Sequence, residues 1–477
     1  MAETTKPDLV IVGAGALGMA LALHARRLGA HVVLADRGVA EPGDQPQAAL
    51  RQAALAVSAS IAQAQRRGAG FGFADEAPKI VPKSVQERAA QIAASRAAED
   101  SPDHMRAQGV DLVRGPVEFV DQRTLAIGDV QMRPRHVLIA MGGAPVVPDL
   151  PGLSEIGFFT VDSLAANTRK LTHLVVIGGG AEALEQAQIQ RRLGAAVTVV
   201  PQGPVLPGHD AEAASLLLRA LSEEGIRIMT GANVRSIVPR AMGTGVVTEH
   251  ADGTQEALDV SHVLVAMGRR ADLETLRIDR LKLRPASGQN GNFVTGALGR
   301  TSNRLLRLTG PAAGLEQWHH MLAHGRSVVE ALVLGAPQRR LPAQPLLVQT
   351  APGLAQIGLL PGNGEKARAG TRVLRANMVE NDKARALGVE MGVAKIVVDA
   401  RGRVLGGSIV GPDAGELAAV LALAMERGLP AGALADLSMP HPSLFGVLAA
   451  LGERQRAGEK PGWATPMLRA IRRLLPR

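Results

Sequence analysis

Short, unbroken apolar runs alternate along this chain with longer stretches in which apolar residues recur every three or four positions. The first pattern predicts strands and the second amphipathic helices. Leu9-Val-Ile-Val12 leads directly into Gly13-Ala-Gly15-Ala-Leu-Gly18; a helix-compatible stretch from Met19 to Leu28 follows, then Gly29 and a second apolar run from His31 that ends at Asp36. The same design returns at Leu174-Val-Val-Ile-Gly178-Gly-Gly180-Ala-Glu-Ala183-Leu-Glu185, with a helix to Leu193, then Gly194 and a strand from Ala196 to Val200. Apolar runs without alternation suit strands covered on both faces, as in parallel sheets. The pattern therefore predicts two βαβ units related by internal duplication. Further helices are expected at Ala48 to Arg67, Ser84 to Ala98, Asp210 to Glu224 and Trp318 to Leu334. Short strands are expected near 109–114, 117–120, 124–127, 136–141, 225–230, 234–238, 263–267 and 305–309. From about Leu341 the pattern shifts to antiparallel-type strands starting at Leu346, Ala355, Ala394 and Val404, with helices at Glu416 to Arg427 and Leu444 to Arg454. That is an α+β organisation.

The first glycine turn carries a specific chemistry. In G-x-G-x-x-G after a strand, Gly13 permits the tight turn, Gly15 lets the backbone approach a pyrophosphate, and Gly18 lets helix and strand pack closely. The helix N-terminus offers unpaired N–H groups and the positive end of its dipole to the phosphates. Asp36 closes the second strand about 20 residues on, where a carboxylate accepts from ribose hydroxyls.

Composition narrows the alternatives. The chain has 477 residues, enough for two or three domains, with 46% hydrophobic and 20% charged residues. Aromatic residues are only 2% and tyrosine is absent, so the stacking platforms of single-strand nucleic-acid binding are missing. There is no cysteine, which excludes disulfides, a thiolate nucleophile, cysteine-ligated zinc and iron–sulfur clusters. The net charge of +9 is small for this length and reads as an arginine-rich surface rather than a nucleic-acid interface. No apolar run is long enough to span a membrane. The stretch Leu9 to Leu23 could pass for the core of a signal peptide, but Glu3 and Asp8 interrupt a basic leader. A cytoplasmic protein is expected.

The order of motifs resembles the flavoprotein pyridine nucleotide–disulfide oxidoreductases, most closely their dihydrolipoamide dehydrogenase and mercuric reductase branch, over roughly Asp8 to Glu453. The opening glycines match the family's FAD motif. Ala140-Met141-Gly142-Gly143 with Pro145 and Pro148 matches its Ala-Thr-Gly-Ser and proline run, and Gly178 to Glu185 its nicotinamide-nucleotide motif. Ala266-Met267-Gly268-Arg269 matches its Ala-Thr-Gly-Arg, Pro352 to Leu359 the start of its interface domain, and His441-Pro442-Ser443 its His-Pro-Thr. The resemblance implies an α/β fold: two Rossmann-like nucleotide-binding domains, for FAD and NAD(P), plus a C-terminal α+β dimerisation domain. The FAD domain would take 1–150 and a return segment 276–338, the NAD(P) domain 151–275 and the dimerisation domain 339–455, with a basic amphipathic tail at 456–477. It implies FAD at Gly13, Gly15, Gly18, Asp36 and Gly142, NAD(P)H at Gly178, Gly180, Ala183 and Gly268, and a homodimer through the C-terminal domain. Glu185 stands where the family places a glutamate near the nicotinamide, and His441 where it places an acid–base histidine.

The departures from that pattern bear on function. The family's C-x-x-x-x-C falls on Gly43 to Gln52, which holds no cysteine, and the lysine after it is replaced near Gln52. Gly310-Pro311 stands in place of the Gly-Asp whose aspartate binds the flavin ribityl chain. Pro201 occupies the position that distinguishes NADH from NADPH, and Ala181 that of an aromatic residue. Gly446 stands where a glutamate orients the histidine. Elsewhere, His320 and His324 have metal-pair spacing, with His319 beside them and only Glu316 as a nearby carboxylate, so packed histidines and no metal site are expected. In the tail, Met467, Leu468, Ile471, Leu474 and Leu475 share a helical face beginning near Pro466, which could touch a membrane surface or pack on the body.

Two readings follow. One is an FAD-dependent, NAD(P)H-linked oxidoreductase that hands electrons from flavin directly to a small-molecule acceptor, with Glu185 and His441 as candidate catalytic residues. The other is a non-catalytic relative serving as a dimeric scaffold or nucleotide sensor.

Overall fold

The computed structural model describes residues 6–38, 46–74, 76–96, 98–99, 101–241, 243–285, 293–294, 296–335, 343–361, 370–389, 391–458, 467 and 470–473. Gly43 of the expected cysteine segment, and Pro466, Leu468, Leu474 and Leu475 of the tail, lie outside the described residues. In chain order the first elements are β1 (Leu9–Val12), α1 (Ala16–Arg27), β2 (Val32–Asp36), α2 (Pro46–Arg66), α3 (Pro82–Ala94), β3 (Asp111–Arg114) and β4 (His136–Ile139). The second repeat gives β5 (His173–Ile177), α4 (Ala181–Arg192), β6 (Ala196–Val200), α5 (Ala211–Glu223), β7 (Ile226–Ile228) and β8 (His262–Val265). Then come β9 (Leu306–Leu308) and α6 (Trp318–Leu334). The C-terminal region contributes β10 (Leu346–Val348), β11 (Gly353–Gly358), β12 (Arg372–Asn377), β13 (Val393–Val398), β14 (Val404–Gly411), α7 (Ala414–Glu426) and α8 (Gly446–Ala457).

The chain forms two compact units: residues 1–207 with 224–341, and 208–223 with 342–477. The crossover helix α5 of the second repeat thus belongs to the second unit, where it lies against β11 and β14.

Within the first unit, one parallel sheet has the order β9-β4-β1-β2-β3. Its central strand is apolar throughout because both faces are covered. Leu9 and Ile11 pack with Leu17, Leu21 and Ala25 of α1 and with Val328 and Val329 of α6. Val10 and Val12 pack on Phe119, Leu125 and Ile127 of a small antiparallel sheet built from Val117–Phe119, Leu125–Ile127 and Val130–Met132. A second parallel sheet has the order β7-β6-β5-β8, with Phe159–Thr160 at its edge. Its Val175 and Ile177 pack on a three-stranded antiparallel sheet of Ala232–Pro239, Thr244–His250 and Gln255–Val260. The last two of these strands are absent from the pattern-based expectation, since their few apolar residues are interrupted by Thr, Glu, His, Gln and Asp.

The second unit is a five-stranded antiparallel sheet, β10-β11-β14-β13-β12, with α7 and α8 sharing its core. The α/β fold expected from the sequence, with two Rossmann-like halves and a C-terminal α+β unit, is the fold observed. No described helix is long and apolar enough to cross a membrane.

Candidate functional site

Both glycine turns sit at the carboxyl ends of their central strands, where open α/β sheets bind ligands. At the first, Gly13 has φ +113° and its N–H donates to Ala35 O at 3.1 Å. A Cβ there would come within 2.9 Å of Ala140 O and Met141 Cα, so the backbone following β4 leaves room only for glycine. Gly18 is equally constrained, because its Cβ would fall onto the Gly13 carbonyl. Gly15 is the N-cap of α1 and supplies no side-chain cap, and the first turn of α1 carries no acid. The N–H groups of that turn, which have no intrahelical partner, are therefore left for a ligand, and nothing negative competes for them. Asp36 closes β2 with its side chain 19% exposed; Gly38 N–H donates to Oδ1 at 2.9 Å and Arg114 Nε to Oδ2 at 2.9 Å. One partner per oxygen leaves lone pairs for ribose hydroxyls.

The turns at Gly142 and Gly268 are brought together. Ala144–Pro145 pairs with Arg269–Arg270, Val146 N–H donates to Gly268 O at 2.9 Å, and a Cβ on Gly143 would meet Arg270 N at 2.9 Å. Gly142 is half-buried and Gly268 has φ +85° with open space around it. Gly310-Pro311 forms a short 3-10 turn beside α1: a Cβ on Gly310 would lie 2.9 Å from Leu17 Cδ2. Pro311 is therefore next to the phosphate cradle, with no side-chain acceptor to offer. The first turn fits FAD at its diphosphate and adenosine ribose, and lacks one acceptor at the 310–311 turn.

The second turn repeats the backbone. Gly178 has φ +138°, its N–H donates to Val200 O at 2.9 Å, and its Cβ would fall onto Ala266 O. Ala183 is fully buried, with its Cβ 3.5 Å from where a Gly178 Cβ would stand, which explains the alanine as third small residue. Gly180 caps α4 without a side-chain hydrogen bond. The side chains differ, however. Pro201 packs on Gly179, whose Cβ would lie 2.8 Å from the proline Cβ, and offers no ribose partner. The first turn of α4 carries Glu182. Burial pushes its carboxyl above the usual range; Arg269 opposes this, and Asp162 and Glu316 add to it. Arg269 Nη1 donates to Asp162 Oδ1 at 2.8 Å, while Asp162 Oδ2 is buried and without a hydrogen-bond partner among the described residues. With Glu182 ionised, this second turn does not fit an anionic dinucleotide. Glu185, one turn further along α4, is half-buried. Neither Glu182 nor Asp162 stands out in the sequence, since an acid in a first helical turn is ordinary.

At the head of α2, Gln52 is half-buried and Arg51 Nε is buried with no partner among the described residues. His441 lies in the second unit with its side chain 80% exposed, its Nε2 3.6 Å from Asp382 Oδ2. The position of the missing glutamate, Gly446, abuts Asn381: a Cβ there would lie 2.7 Å from Asn381 Nδ2, which donates to Ser443 O at 2.9 Å. Asp382 is thus the carboxylate nearest the imidazole that the structure records, and sequence spacing does not reveal it. His319 and His320 meet edge to face at 4.7 Å, His324 is buried, and no group of residues able to hold a metal is found among the described residues.

Comparison with known proteins gives the family and the fold. The family model described as "Pyridine nucleotide-disulphide oxidoreductase" matches residues 7–325, and that of the dimerisation domain of the same family matches residues 344–450. The chain is similar to a dihydrolipoyl dehydrogenase of Thermus scotoductus, 30% identical over 451 residues, covering 92% of this chain and 95% of that protein. It is also similar to a mercuric reductase of Streptomyces lividans, 28% identical over 455 residues, covering 92% and 94%. Among solved structures, the HOCl-induced flavoprotein disulfide reductase RclA from Escherichia coli superposes with a TM-score of 0.79 at 22% identity, covering 95% of this chain and all of that one.

Proposed function

The chain belongs to the pyridine nucleotide–disulphide oxidoreductase family, and from that premise we propose that it is an FAD-dependent, NAD(P)H-linked oxidoreductase whose electrons reach a small-molecule acceptor without a dithiol relay. The observation that carries this reading is the contrast between a complete first glycine turn and a chain with no cysteine. Family members bind FAD and NAD(P)H. When bound, FAD supplies both one- and two-electron transfer.

This chain's residues do the rest. Gly13 and Gly18 hold the turn closed, and the mouth of α1 receives the diphosphate. Asp36 accepts from ribose hydroxyls, and the paired strands at 144–145 and 269–270 fix the two Ala-Met-Gly turns against each other. NAD(P)H is the reductant this reading implies, at the second turn. His441 and Glu185 are its candidate proton-handling groups, and the protein works as a homodimer through residues 344–450, in the cytoplasm.

Absorbance spectra of the purified protein, before and after anaerobic NADH or NADPH and then after a quinone acceptor, test it. The expected result is a flavin spectrum that bleaches with reductant and returns with acceptor. A protein that is colourless and stays so with added FAD overturns the proposal. A second reading, a non-catalytic scaffold or sensor, draws on Pro201, Pro311 and Gly446 together. It predicts bound flavin that no pyridine nucleotide bleaches.

A further inference from the structure

We propose that Glu182 sets the affinity of the second glycine turn for a pyridine dinucleotide: its carboxylate sits in the first turn of α4, where the diphosphate would bind, so the site takes NADH only with that carboxyl neutral. The proposal rests on the reading of the chain as an NAD(P)H-linked flavoprotein.

The two glycine turns share strand, turn and helix down to the clash each first glycine would make with a carbonyl across the sheet, Gly13 with Ala140 and Gly178 with Ala266. Each helix is capped by a glycine with no side-chain hydrogen bond. They differ in the charge at the mouth: the first turn of α1 has no acid, and that of α4 has Glu182. A carboxylate there takes the favourable helix-dipole position for itself and repels a diphosphate arriving at the same N–H groups.

The groups facing Glu182 reinforce this. Arg269 comes from the strand 269–270 and is engaged by Asp162 at 2.8 Å. Asp162 comes from the short helix Val161–Leu164, and Glu316 from the segment before α6. Glu185 lies on α4 itself. Among the described residues that act on Glu182, the carboxyls of Asp162 and Glu316 stand against the single guanidinium of Arg269, the opposite of what a phosphate site offers. Burial, Asp162 and Glu316 all favour the neutral form of Glu182 against Arg269. A second observation points to a ligand. The Asp162 side chain is 7% exposed, and its Oδ2 is buried with no hydrogen-bond partner among the described residues. A buried acceptor left open is costly and suits a ligand donor such as a ribose hydroxyl or a carboxamide N–H.

The sign follows. A carboxyl whose proton affinity is raised by its surroundings stays neutral to higher pH. Dinucleotide binding is therefore present at low pH and falls by up to about tenfold per pH unit once the carboxyl ionises. The test is calorimetric titration of 1,4,5,6-tetrahydro-NADH, a redox-inert analogue that carries the same diphosphate and lacks the titrating 2′-phosphate, into the full-length flavin-loaded protein at pH 6, 7 and 8, for wild type and E182Q. The expected result is a wild-type affinity at least tenfold weaker at pH 8 than at pH 6, and an E182Q affinity independent of pH and at least tenfold tighter than wild type at pH 8. E182D, which keeps the carboxyl, retains the pH dependence. Matching pH profiles in wild type and E182Q overturn the proposal, as does an absence of binding of the analogue to both at every pH. Flavin absorbance of each variant reports whether it folds, with E182A as a second neutral variant. Because the analogue has no hydride to give, a protein that binds it as expected but is not bleached by NADH refutes the enzymatic reading alone.

Discussion

Thr309 Oγ1 and His324 Nδ1 lie 2.9 Å apart in a buried pair that ties the end of β9 to α6. Thr309 N–H also donates to Ile139 O at 2.9 Å, so this pair anchors the 310–311 turn beside the first glycine turn. Burial holds the His324 imidazole below its ordinary value of 6.5. The unfolded chain therefore binds a proton that the folded chain does not. The stability from this group is fully present above that ordinary value and is lost as pH falls toward the depressed one. His136 and His262 are shifted the same way, mainly by burial. H324Q keeps a hydrogen-bonding partner for Thr309 but removes the titration. Its thermal midpoint is expected to fall less than that of wild type between pH 7.5 and 5, by about 2 °C. Melting curves at the two pH values check it, and parallel curves count against it.

Gly13 faces the carbonyl of Ala140 at a distance no side chain fits. G13A combines that clash with a left-handed backbone, a strain of about 1–3 kcal/mol. FAD affinity is expected to fall tenfold or more. Gly29 has φ +86° with nothing around its Cβ position, so G29A carries backbone strain without a clash at the turn. It is expected to lower stability while leaving FAD affinity within about twofold. Equilibrium dialysis with FAD separates the two outcomes, and equal losses in both variants would show that the strain acts globally rather than at the cradle.

Both turns, the strand–helix order and the C-terminal α+β unit are legible in the sequence because they rest on local rules: glycine spacing, unbroken apolar strands, helical periodicity. What escapes is set by distant contacts. Gln186, Gln188 and Gln190 are buried on α4, although a polar run in a helix reads as a solvated face. They are covered because α4 lies against both its own sheet and α2. The strands Thr244–His250 and Gln255–Val260 escape because the inward positions include Thr244 and Thr248 beside Val246, Leu258 and Val260. In the same way, the Asp382–His441 and Asp162–Arg269 contacts join residues far apart in the chain, and neither spacing nor periodicity reports on them.

Lys395 Nζ donates to Asp210 Oδ1 at 2.6 Å and to Glu212 Oε2 at 3.1 Å, inside the second unit. The Asp210 side chain is fully buried and that of Lys395 is 9% exposed. The Ala213 N–H also donates to Asp210 Oδ1, at 2.9 Å, at the start of α5. Removing the ammonium leaves a buried carboxylate without its counter-charge, a loss of about 3–5 kcal/mol. K395M is expected to lower the urea midpoint of the second unit sharply. D210N/K395M, which removes both charges, recovers most of the loss. A K395M midpoint within error of wild type would mean that Asp210 keeps its solvation in the folded chain.

Pro311 follows Gly310, whose Cβ would meet Leu17 of α1, in a turn, Gly310–Ala313, with no side-chain acceptor. If FAD lies across the first turn as proposed, its ribityl hydroxyls pass this position, and a carboxylate there gains a charge-assisted hydrogen bond worth roughly 1–3 kcal/mol. P311D is therefore expected to tighten FAD binding by about tenfold or more, at some cost in stability, because proline no longer restricts the unfolded chain. P311A separates the two effects, since it relaxes the backbone equally and adds no acceptor. FAD dissociation constants from fluorescence quenching, compared across wild type, P311A and P311D, give the answer. Tightening in P311D alone supports a ribityl chain at residue 311. Equal affinities in P311A and P311D would place the flavin's hydroxyls elsewhere and leave only the diphosphate and adenosine ends of the cradle to account for binding.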